Sequence, residues 1–110
     1  PPRSTLFPYT TLFRSGEPSV GTPAKFELSQ NYPNPFNPVT RINFSIPFDS
    51  KTSLRIYDIT GKEIKTLFDE NKQAGYYTVT FDASNFTSGV YFYKLIAGNS
   101  AETKRMVVVK

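Results

Sequence analysis

The clearest pattern along this chain is an alternation of apolar and polar residues, which predicts short β-strands. In segment 40–46, Ile42, Phe44 and Ile46 occupy every second position, with polar residues between them. This two-residue period is typical of a strand with one buried face. Ser45, which falls between two apolar positions, is therefore expected to face away from the core.

The same period recurs further along the chain. The residues expected to face inward are Leu54 and Ile56 in segment 52–58, Ile64 and Phe68 in 62–68, Tyr77, Val79 and Phe81 in 76–82, and Tyr91, Tyr93 and Leu95 in 90–96. A short edge strand at 26–28 precedes these segments. A last strand at 102–109 ends in a continuous apolar run, which indicates burial on both faces or a covered edge.

Turn-forming residues separate the strand segments. Gly61 suits the positive φ of a tight turn at 58–61, and 97–100 reverses the chain again. Segment 69–75 is expected to be a polar loop, and 82–89 a polar crossover with room for one helical turn. About seven short strands without helical periodicity predict an all-β fold, a single small antiparallel immunoglobulin-like β-sandwich.

Segment 31–38 interrupts the strand pattern with prolines. Its three prolines remove backbone donors and restrict φ, so neither a helix nor a central strand is expected there. The asparagines between them are able to hydrogen-bond their own backbone two residues on. Tyr32 and Phe36 add apolar weight that a flexible linker would not need. A rigid loop, anchored to the domain, is therefore predicted.

Length and charge limit the classes of protein to consider. The 110 residues allow one domain, and a hydrophobic share of 38% is sufficient for a small core. No apolar run approaches the roughly 20 residues of a membrane helix, so direct membrane insertion is not expected. The net charge of +4 divides into +2 for residues 1–25 (three bases, one acid) and +2 for the rest, where acids and bases are interspersed. Such a distribution predicts no nucleic-acid partner.

The residue types needed for most catalytic chemistry are missing. The chain has no Cys and no His, which excludes thiolate chemistry, the commonest general base and most zinc sites. No calcium-loop spacing, phosphate-binding glycine loop or nucleophile motif is present. Asp58 before Thr60 and Gly61 is compatible with a cation site, although an Asx-type turn is the commoner use of this pattern. We predict no catalytic residue, no metal and no cofactor, and expect that the chain is not an enzyme.

The aromatic residues leave one alternative open. A platform for stacking sugars or bases would draw on Tyr76, Phe81, Tyr91, Phe92 and Tyr93. The alternation accounts for most of them as core residues or cross-strand pairs, which favours the structural interpretation.

The first 25 residues differ in character from the rest. Residues 1–15 resemble the in-frame translation of a DNA sequencing adapter, since the Arg-Ser ending at positions 14–15 also occurs at positions 3–4. We interpret 1–25 as a non-native leader followed by a linker; a short amphipathic start or a damaged signal peptide fits less well. The sandwich domain is expected to span 26–110, and the parent protein to carry a longer N-terminal part.

Several motifs occur in an order that resembles a known family. They are Phe-Glu-Leu-Ser-Gln at 26–30, Asn-Tyr-Pro-Asn-Pro-Phe-Asn-Pro at 31–38, Leu-Arg-Ile-Tyr-Asp-Ile-Thr-Gly-Lys at 54–62, Ser-Gly-Val-Tyr-Phe-Tyr-Lys-Leu at 88–95 and Lys-Arg-Met-Val-Val-Val-Lys at 104–110. Together they resemble the type A C-terminal sorting domain of the bacterial type IX secretion system. The immunoglobulin-like domain of flagellar hook-capping proteins shares the Asn-Pro-Phe-Asn loop and the Tyr-Asp-x-x-Gly turn. That resemblance implies the alternative of a structural assembly or adhesion module.

The resemblance to sorting domains implies a non-catalytic function. Such a domain directs a covalently attached upstream cargo domain, missing here, through the periplasm to the outer cell surface or the medium. Its partners are the type IX secretion machinery and a sortase-like peptidase that removes the domain. A sorting signal lies at the natural C-terminus, which Lys110 is expected to be.

Two regions are candidates for recognition by a partner. The proline loop offers a surface that needs little ordering on binding, and the basic terminal strand offers edge pairing and charge steering. The alternatives are a structural plug for the loop and protection against edge aggregation for the terminal strand. The candidate residues are Asn31, Tyr32, Pro33, Asn34, Pro35, Phe36, Asn37, Pro38, Gly89, Tyr91, Lys104, Arg105 and Lys110.

Overall fold

The computed structural model describes residues 23–110. The expected leader and linker therefore lie outside the described residues apart from positions 23–25, and the domain boundary at residue 26 stays a prediction. The described part of the chain forms seven strands and contains no helix. The strands are β1 (Glu27–Leu28), β2 (Val39–Ile46), β3 (Ser50–Tyr57), β4 (Glu63–Lys72), β5 (Gly75–Asp82), β6 (Gly89–Ala97) and β7 (Ser100–Val108).

The strands form two sheets that pack face to face. The small sheet has the order β1-β2-β5, and the large sheet has the order β4-β3-β6-β7. All neighbouring strands within each sheet are antiparallel. The chain passes from one sheet to the other after β2, after β4 and after β5. The predicted antiparallel β-sandwich is confirmed.

The core lies between the sheets and follows the predicted alternation. Its most deeply buried apolar side chains are Ile42, Ile46, Leu54, Ile56, Phe81, Ala83, Tyr93, Leu95, Ala97, Met106 and Val108. Near the β4 edge, the Phe44 ring stacks on Phe68 and Tyr77, with ring centroids 5.6 and 5.2 Å apart. Because Phe68 belongs to the large sheet and the other two rings to the small sheet, this cluster joins the sheets. Removing such apolar surface from water stabilises the fold by about 25 cal/mol per Å².

The polar segment 69–75 is not the loop that its composition predicts. Strand β4 continues through Lys72, which leaves only positions 73–74 as the connection to β5. Because β4 is an edge strand that pairs only with β3, its charged residues remain in solvent, where such residues are tolerated. The Lys72 Nζ atom lies 4.7 Å from the ring centroids of both Phe68 and Tyr77, which anchors the end of the strand.

Two further details differ from expectation. Ser45 faces away from the core but is only 5% exposed, because the segment before β1 covers it and its Oγ donates to the Lys25 carbonyl at 3.1 Å. The crossover 82–89 forms turns and bends without a helical turn. Phe86 packs there between the core rings of Phe81 and Tyr91, at centroid distances of 5.4 and 5.5 Å. This aromatic anchor holds the crossover against the core without a helix.

The aromatic cluster between the sheets gives a stability prediction. Phe44→Ala should lower the free energy of unfolding by about 3–5 kcal/mol, because the ring is 3% exposed and its removal leaves a cavity. The control Tyr76→Ala removes a ring that is 61% exposed and should change stability by about 0.5 kcal/mol or less. Urea unfolding measures both, and an unchanged midpoint for Phe44→Ala would contradict the described core.

Candidate functional site

The proline loop, residues 31–38, connects the two sheets. At its start, Tyr32 pairs with Arg41 of the small sheet through two backbone hydrogen bonds of 2.9 Å. Further on, Phe36 reaches the large sheet and forms a parallel bridge with Val108. Its amide donates to the Val107 carbonyl at 3.1 Å, and its carbonyl accepts from the Val109 amide at 3.0 Å. The loop therefore closes the open side of the sandwich between the small sheet and β7.

The start of the loop is held by a buried polar network around Asn31, which is 2% exposed. The backbone amide of Asn31 donates to the Tyr93 hydroxyl at 2.8 Å, and that hydroxyl donates to the Ser29 carbonyl at 2.7 Å. The Asn31 Nδ2 atom donates to the Pro33 carbonyl at 3.1 Å and to Thr40 Oγ1 at 3.0 Å. Thr40 Oγ1 in turn donates to the Pro33 carbonyl at 2.8 Å. Because each of these buried groups has a partner, the network stabilises one loop conformation.

Tyr93 links this network to the centre of the large sheet. Its side chain is fully buried, and burial raises the pKa of Tyr93 to about 12. The hydrogen bond from the Asn31 amide acts in the opposite direction, and the negative charge of Glu102 adds to the increase in pKa. The neutral phenol is therefore the form that the fold requires, since it must donate to Ser29.

The second anchor of the loop is the Phe36 side chain. It is 2% exposed and meets the Phe81 ring edge-on at a centroid distance of 6.1 Å. Next to it, Asn34 Oδ1 accepts from the Val107 amide at 3.0 Å. The predicted local asparagine turn is thus correct for Asn31 but wrong for Asn34, which bonds a residue 73 positions away. The prediction of an anchored loop is confirmed, with anchors that lie mostly far away in sequence, while its rigidity stays a prediction.

The loop also has an exposed side. Its members are Tyr32, Pro33, Asn34, Pro35 and Asn37, whereas Pro38 is half-buried. Tyr32 is 74% exposed, so the expectation that its ring adds apolar weight to the loop is wrong. The peptide bonds before all three prolines are cis. By exposure, the loop divides into an anchored part, which consists of Asn31 and Phe36, and the exposed side.

The candidate residues on β6 lie beside the terminal strand. Gly89 pairs with Val108 and has a φ of +150°, which favours glycine. Tyr91 pairs with Met106, and its buried hydroxyl donates to the Thr87 carbonyl at 2.8 Å. Gly89 permits the backbone conformation, and Tyr91 packs and hydrogen-bonds, at the end of the sandwich where the loop meets β7.

The basic candidates do not form one cluster. Lys104 is half-buried, and its Nζ atom lies 3.4 Å from Glu102 Oε2. Arg105 is exposed, while its carbonyl accepts from Gln30 Nε2 at 2.6 Å. Lys110 donates to the Ser84 carbonyl in the crossover at 2.8 Å. Of the three cations, Arg105 is the one whose side chain is exposed and has no ion-pair or hydrogen-bond partner among residues 23–110.

The loop covers part of the edge on which a partner strand was expected to add. Loop groups occupy the carbonyl and the amide of Val107 in β7 and the amide of Val109 just after it. Gln30, which precedes the loop, occupies the carbonyl of Arg105. Since outward-pointing backbone groups alternate along an antiparallel edge strand, those of Ala101 and Thr103 face the same side. The expectation of a covered edge is therefore confirmed for the apolar end, and only the first half of β7 is left for edge pairing.

The turn at Asp58 has the geometry of an Asx turn. Its Oδ1 atom accepts from the Thr60 amide at 2.9 Å and from the Lys62 amide at 3.0 Å. The hydrogen bond from the Thr60 hydroxyl is the main cause that lowers the pKa of Asp58, followed by that from the Lys62 amide. Gly61 has a φ of +90°. The carboxylate thus serves the turn, and residues 23–110 contain no group of acidic residues arranged to hold a metal ion.

The structure also settles the alternative of an aromatic platform. Tyr91, Tyr93 and Phe81 are buried and Phe92 is half-buried. Tyr76 is the only one of the five proposed platform residues that is largely exposed, at 61%. The hypothesis of a stacking surface built from all five residues is therefore wrong.

Sequence reasoning missed several residues that anchor the loop. They are Gln30, Thr40 and the hydroxyl of Tyr93. The alternation identifies Tyr93 as a core residue but carries no information about the partner of its hydroxyl. A tyrosine in place of an aliphatic residue at a central inward position is the one available signal, because a buried hydroxyl needs a partner.

Comparisons with known proteins agree with this architecture. The family model described as "Secretion system C-terminal sorting domain" matches residues 30–110. A search of curated proteins gave no significant match. No helix within residues 23–110 is both long and apolar enough to span a membrane.

Two solved structures are similar to the chain. The crystal structure of dimeric latent PorU from Porphyromonas gingivalis matches with a TM-score of 0.58 and 18% identity, covering 82% of this chain and 10% of that chain. PorZ, a surface component of the type IX secretion system of the same organism, matches with a TM-score of 0.47 and 19% identity, covering 77% and 11%. The chain spans about a tenth of the length of either protein. At this identity the PorU match establishes a shared fold.

The buried Tyr93 hydroxyl gives a prediction for alkaline pH. Because its pKa is raised above the ordinary value near 10, its contribution to stability is fully present below about pH 10 and is lost as the pH rises through about 12. The wild-type protein should lose roughly 2–3 kcal/mol of unfolding free energy from this group across that range. Tyr93→Phe should not show this alkaline loss of unfolding free energy, because it has no hydroxyl to ionise. At neutral pH the variant should be less stable than the wild type by about 1–3 kcal/mol, because Asn31 and Ser29 lose their hydrogen-bond partner.

Urea unfolding of both proteins at a series of alkaline pH values measures the difference. Tyr76→Phe is the control, since its hydroxyl is on an exposed side chain, and its pH dependence should follow the wild type. An equal loss of stability in Tyr93→Phe and the wild type would contradict the described environment of the hydroxyl.

Proposed function

This chain belongs to the family of secretion system C-terminal sorting domains, and we propose that the exporter it addresses is the type IX secretion system. A domain of this family is a sorting signal, and its cargo is exported to the cell surface or the medium. The observation that carries the assignment is the family match, which includes the proline loop, the whole large sheet and the terminal strand. Nothing among the comparisons favours the structural assembly module.

On this proposal the domain acts as a ligand for the exporter. Sorting domains of this family are generally non-catalytic, and we infer the same for this chain. The machinery binds the folded domain in the periplasm and carries it with an upstream cargo domain across the outer membrane. A sortase-like peptidase then separates the domain from the cargo, which is released or anchored.

The exposed side of the proline loop is the proposed recognition surface. Binding a loop that the Asn31 network and the Phe36 side chain already hold in one conformation costs little conformational entropy. Arg105 lies on the terminal strand that pairs with this loop and adds positive charge, which accelerates encounter with an acidic partner. Lys104 and Lys110 have intramolecular partners, so we assign them a secondary part.

The loop has a structural role besides the proposed recognition. Asn31 and Phe36 close the sandwich, whereas the exposed side is free to contact a partner. Substitutions therefore separate the two roles: changes at the anchored part should act through stability, and changes on the exposed side should act through recognition.

Export of a reporter tests the proposed function. Residues 23–110 are fused behind a periplasmic reporter in a host that has the type IX system, and the reporter is measured in medium, at the cell surface and inside cells. We expect export that depends both on the domain and on the exporter. Equal retention of the reporter with and without the domain would contradict the proposed function.

Matched variants of the same fusion test the recognition surface. Tyr32→Ala combined with Asn37→Ala removes two exposed side chains and should reduce export about tenfold, as loss of a contact worth about 1.4 kcal/mol would, without a change in melting temperature. Tyr76→Ala, which removes another exposed tyrosine, should be exported normally. If the loop variant is exported like the wild type, the exposed side is not the surface that the exporter binds.

A further inference from the structure

A shallow groove of about 340 Å³ lies on the outer face of the small sheet and reaches Ser29, whose carbonyl belongs to the network that anchors the proline loop. The register pairs Glu27 with Ser45 and Ser45 with Tyr76, and in the next row it pairs Asn43 with Thr78. The groove therefore runs across all three strands, from the β1 edge to the β5 edge. Its volume lies at the small end of the range of about 300–1,000 Å³ for ligand sites.

One wall of the groove is an exposed aromatic ring. Tyr76 is 61% exposed, so most of its ring is accessible from solvent. It is not part of the stacked core cluster, because its neighbour Tyr77 occupies the inward position beside Phe44. An exposed phenol ring offers an apolar face with a polar tip, which is the surface that the C–H face of a sugar ring contacts.

The floor of the groove carries a fixed amide. Asn43 Oδ1 accepts from Thr78 Oγ1 at 2.7 Å, which orients the amide group. Among residues 23–110 no group accepts a hydrogen bond from the Asn43 Nδ2 atom, and the side chain is exposed, so Nδ2 is the donor that the described part of the chain presents in the groove. The accessible acceptor in the same groove is the Glu27 carboxylate, because Ser45 is only 5% exposed and its Oγ donates to the Lys25 carbonyl. Donor and acceptor groups thus lie side by side, and hydroxyl groups, which both donate and accept, complement such a surface.

The charges beside the groove oppose an anionic ligand. The Glu27 carboxylate lies on the β1 side, 60% exposed, and its Oε2 atom is 3.5 Å from Lys25 Nζ. This exposed pair supplies an acceptor for hydroxyl groups and leaves no unopposed positive charge among the lining residues. Nucleic acids and sulfated glycans need such a charge. A peptide that adds to a sheet edge lies along the strands, whereas this groove runs across them.

We propose that this groove is a carbohydrate-binding site for a neutral oligosaccharide, with Tyr76 as the stacking surface and Asn43 Nδ2 and Glu27 as the hydrogen-bonding groups. The site is independent of the sorting function, since it shares none of the exposed side of the proline loop. On an exported protein it would hold the domain against surface glycans.

Nuclear magnetic resonance titration of the 110-residue protein tests this proposal. The probes are two neutral tetrasaccharides, tetra-N-acetylchitotetraose and cellotetraose. We expect saturable shifts for at least one of them, confined to the Asn43 side-chain amide and to the backbone of residues 27–29, 43–45 and 76–78. Failure of both probes to give saturable shifts, or shifts confined to another surface, would overturn the proposal.

Three variants distinguish binding at this site from nonspecific binding. Tyr76→Ala should weaken binding about tenfold or more, as loss of a stacking contact does. Asn43→Asp keeps the acceptor for Thr78 but removes the Nδ2 donor, and should also weaken binding. The control Tyr32→Ala removes an even more exposed tyrosine and should bind like the wild type. Equal affinity of Tyr76→Ala and the wild type, or preferential binding of a heparin tetrasaccharide, would overturn the proposal.

Discussion

The structure depends on the junction between the proline loop and the terminal strand. The backbone of Phe36 bonds both Val107 and Val109, while its side chain fills the space between the sheets. These bonds satisfy backbone groups at the apolar end of β7 that would otherwise form an open, aggregation-prone edge. A sandwich of this size has little stability to spare, because a small domain buries a smaller share of its surface than a large one. Closing this side of the core is therefore a condition for the fold.

The same junction explains how one loop can serve stability and recognition together. Prolines prevent the loop from joining either sheet as a regular strand, so it crosses between the sheets and turns some side chains inward and others outward. Asn31 is held inside by Tyr93 and Thr40, and Tyr32 beside it is exposed. A surface fixed in this manner is presented in one conformation, which suits a domain whose proposed task is to be bound.

The strand pattern could be predicted from the sequence because its cause is local. The alternation around Ile42 and Tyr93 follows from the two faces of a pleated strand. The end of β4 at Lys72 could not be predicted from composition, since an edge strand carries the same polar residues as a loop. The rigidity of the loop could be predicted from its prolines, but its attachment to Val107 could not, because pairing between residues so far apart leaves no local signal. The groove beside Tyr76 could not be predicted either, because residues from three strands that are distant in sequence form it.

Amide hydrogen exchange measures the central junction most directly. The amides of Asn31, Phe36, Val107 and Val109 should exchange as slowly as those in the central strands of the large sheet, because their hydrogen bonds break only when the sandwich opens as a whole. Rapid exchange of these four amides, alongside protected central strands, would contradict the claim that the loop and the terminal strand form one closed unit.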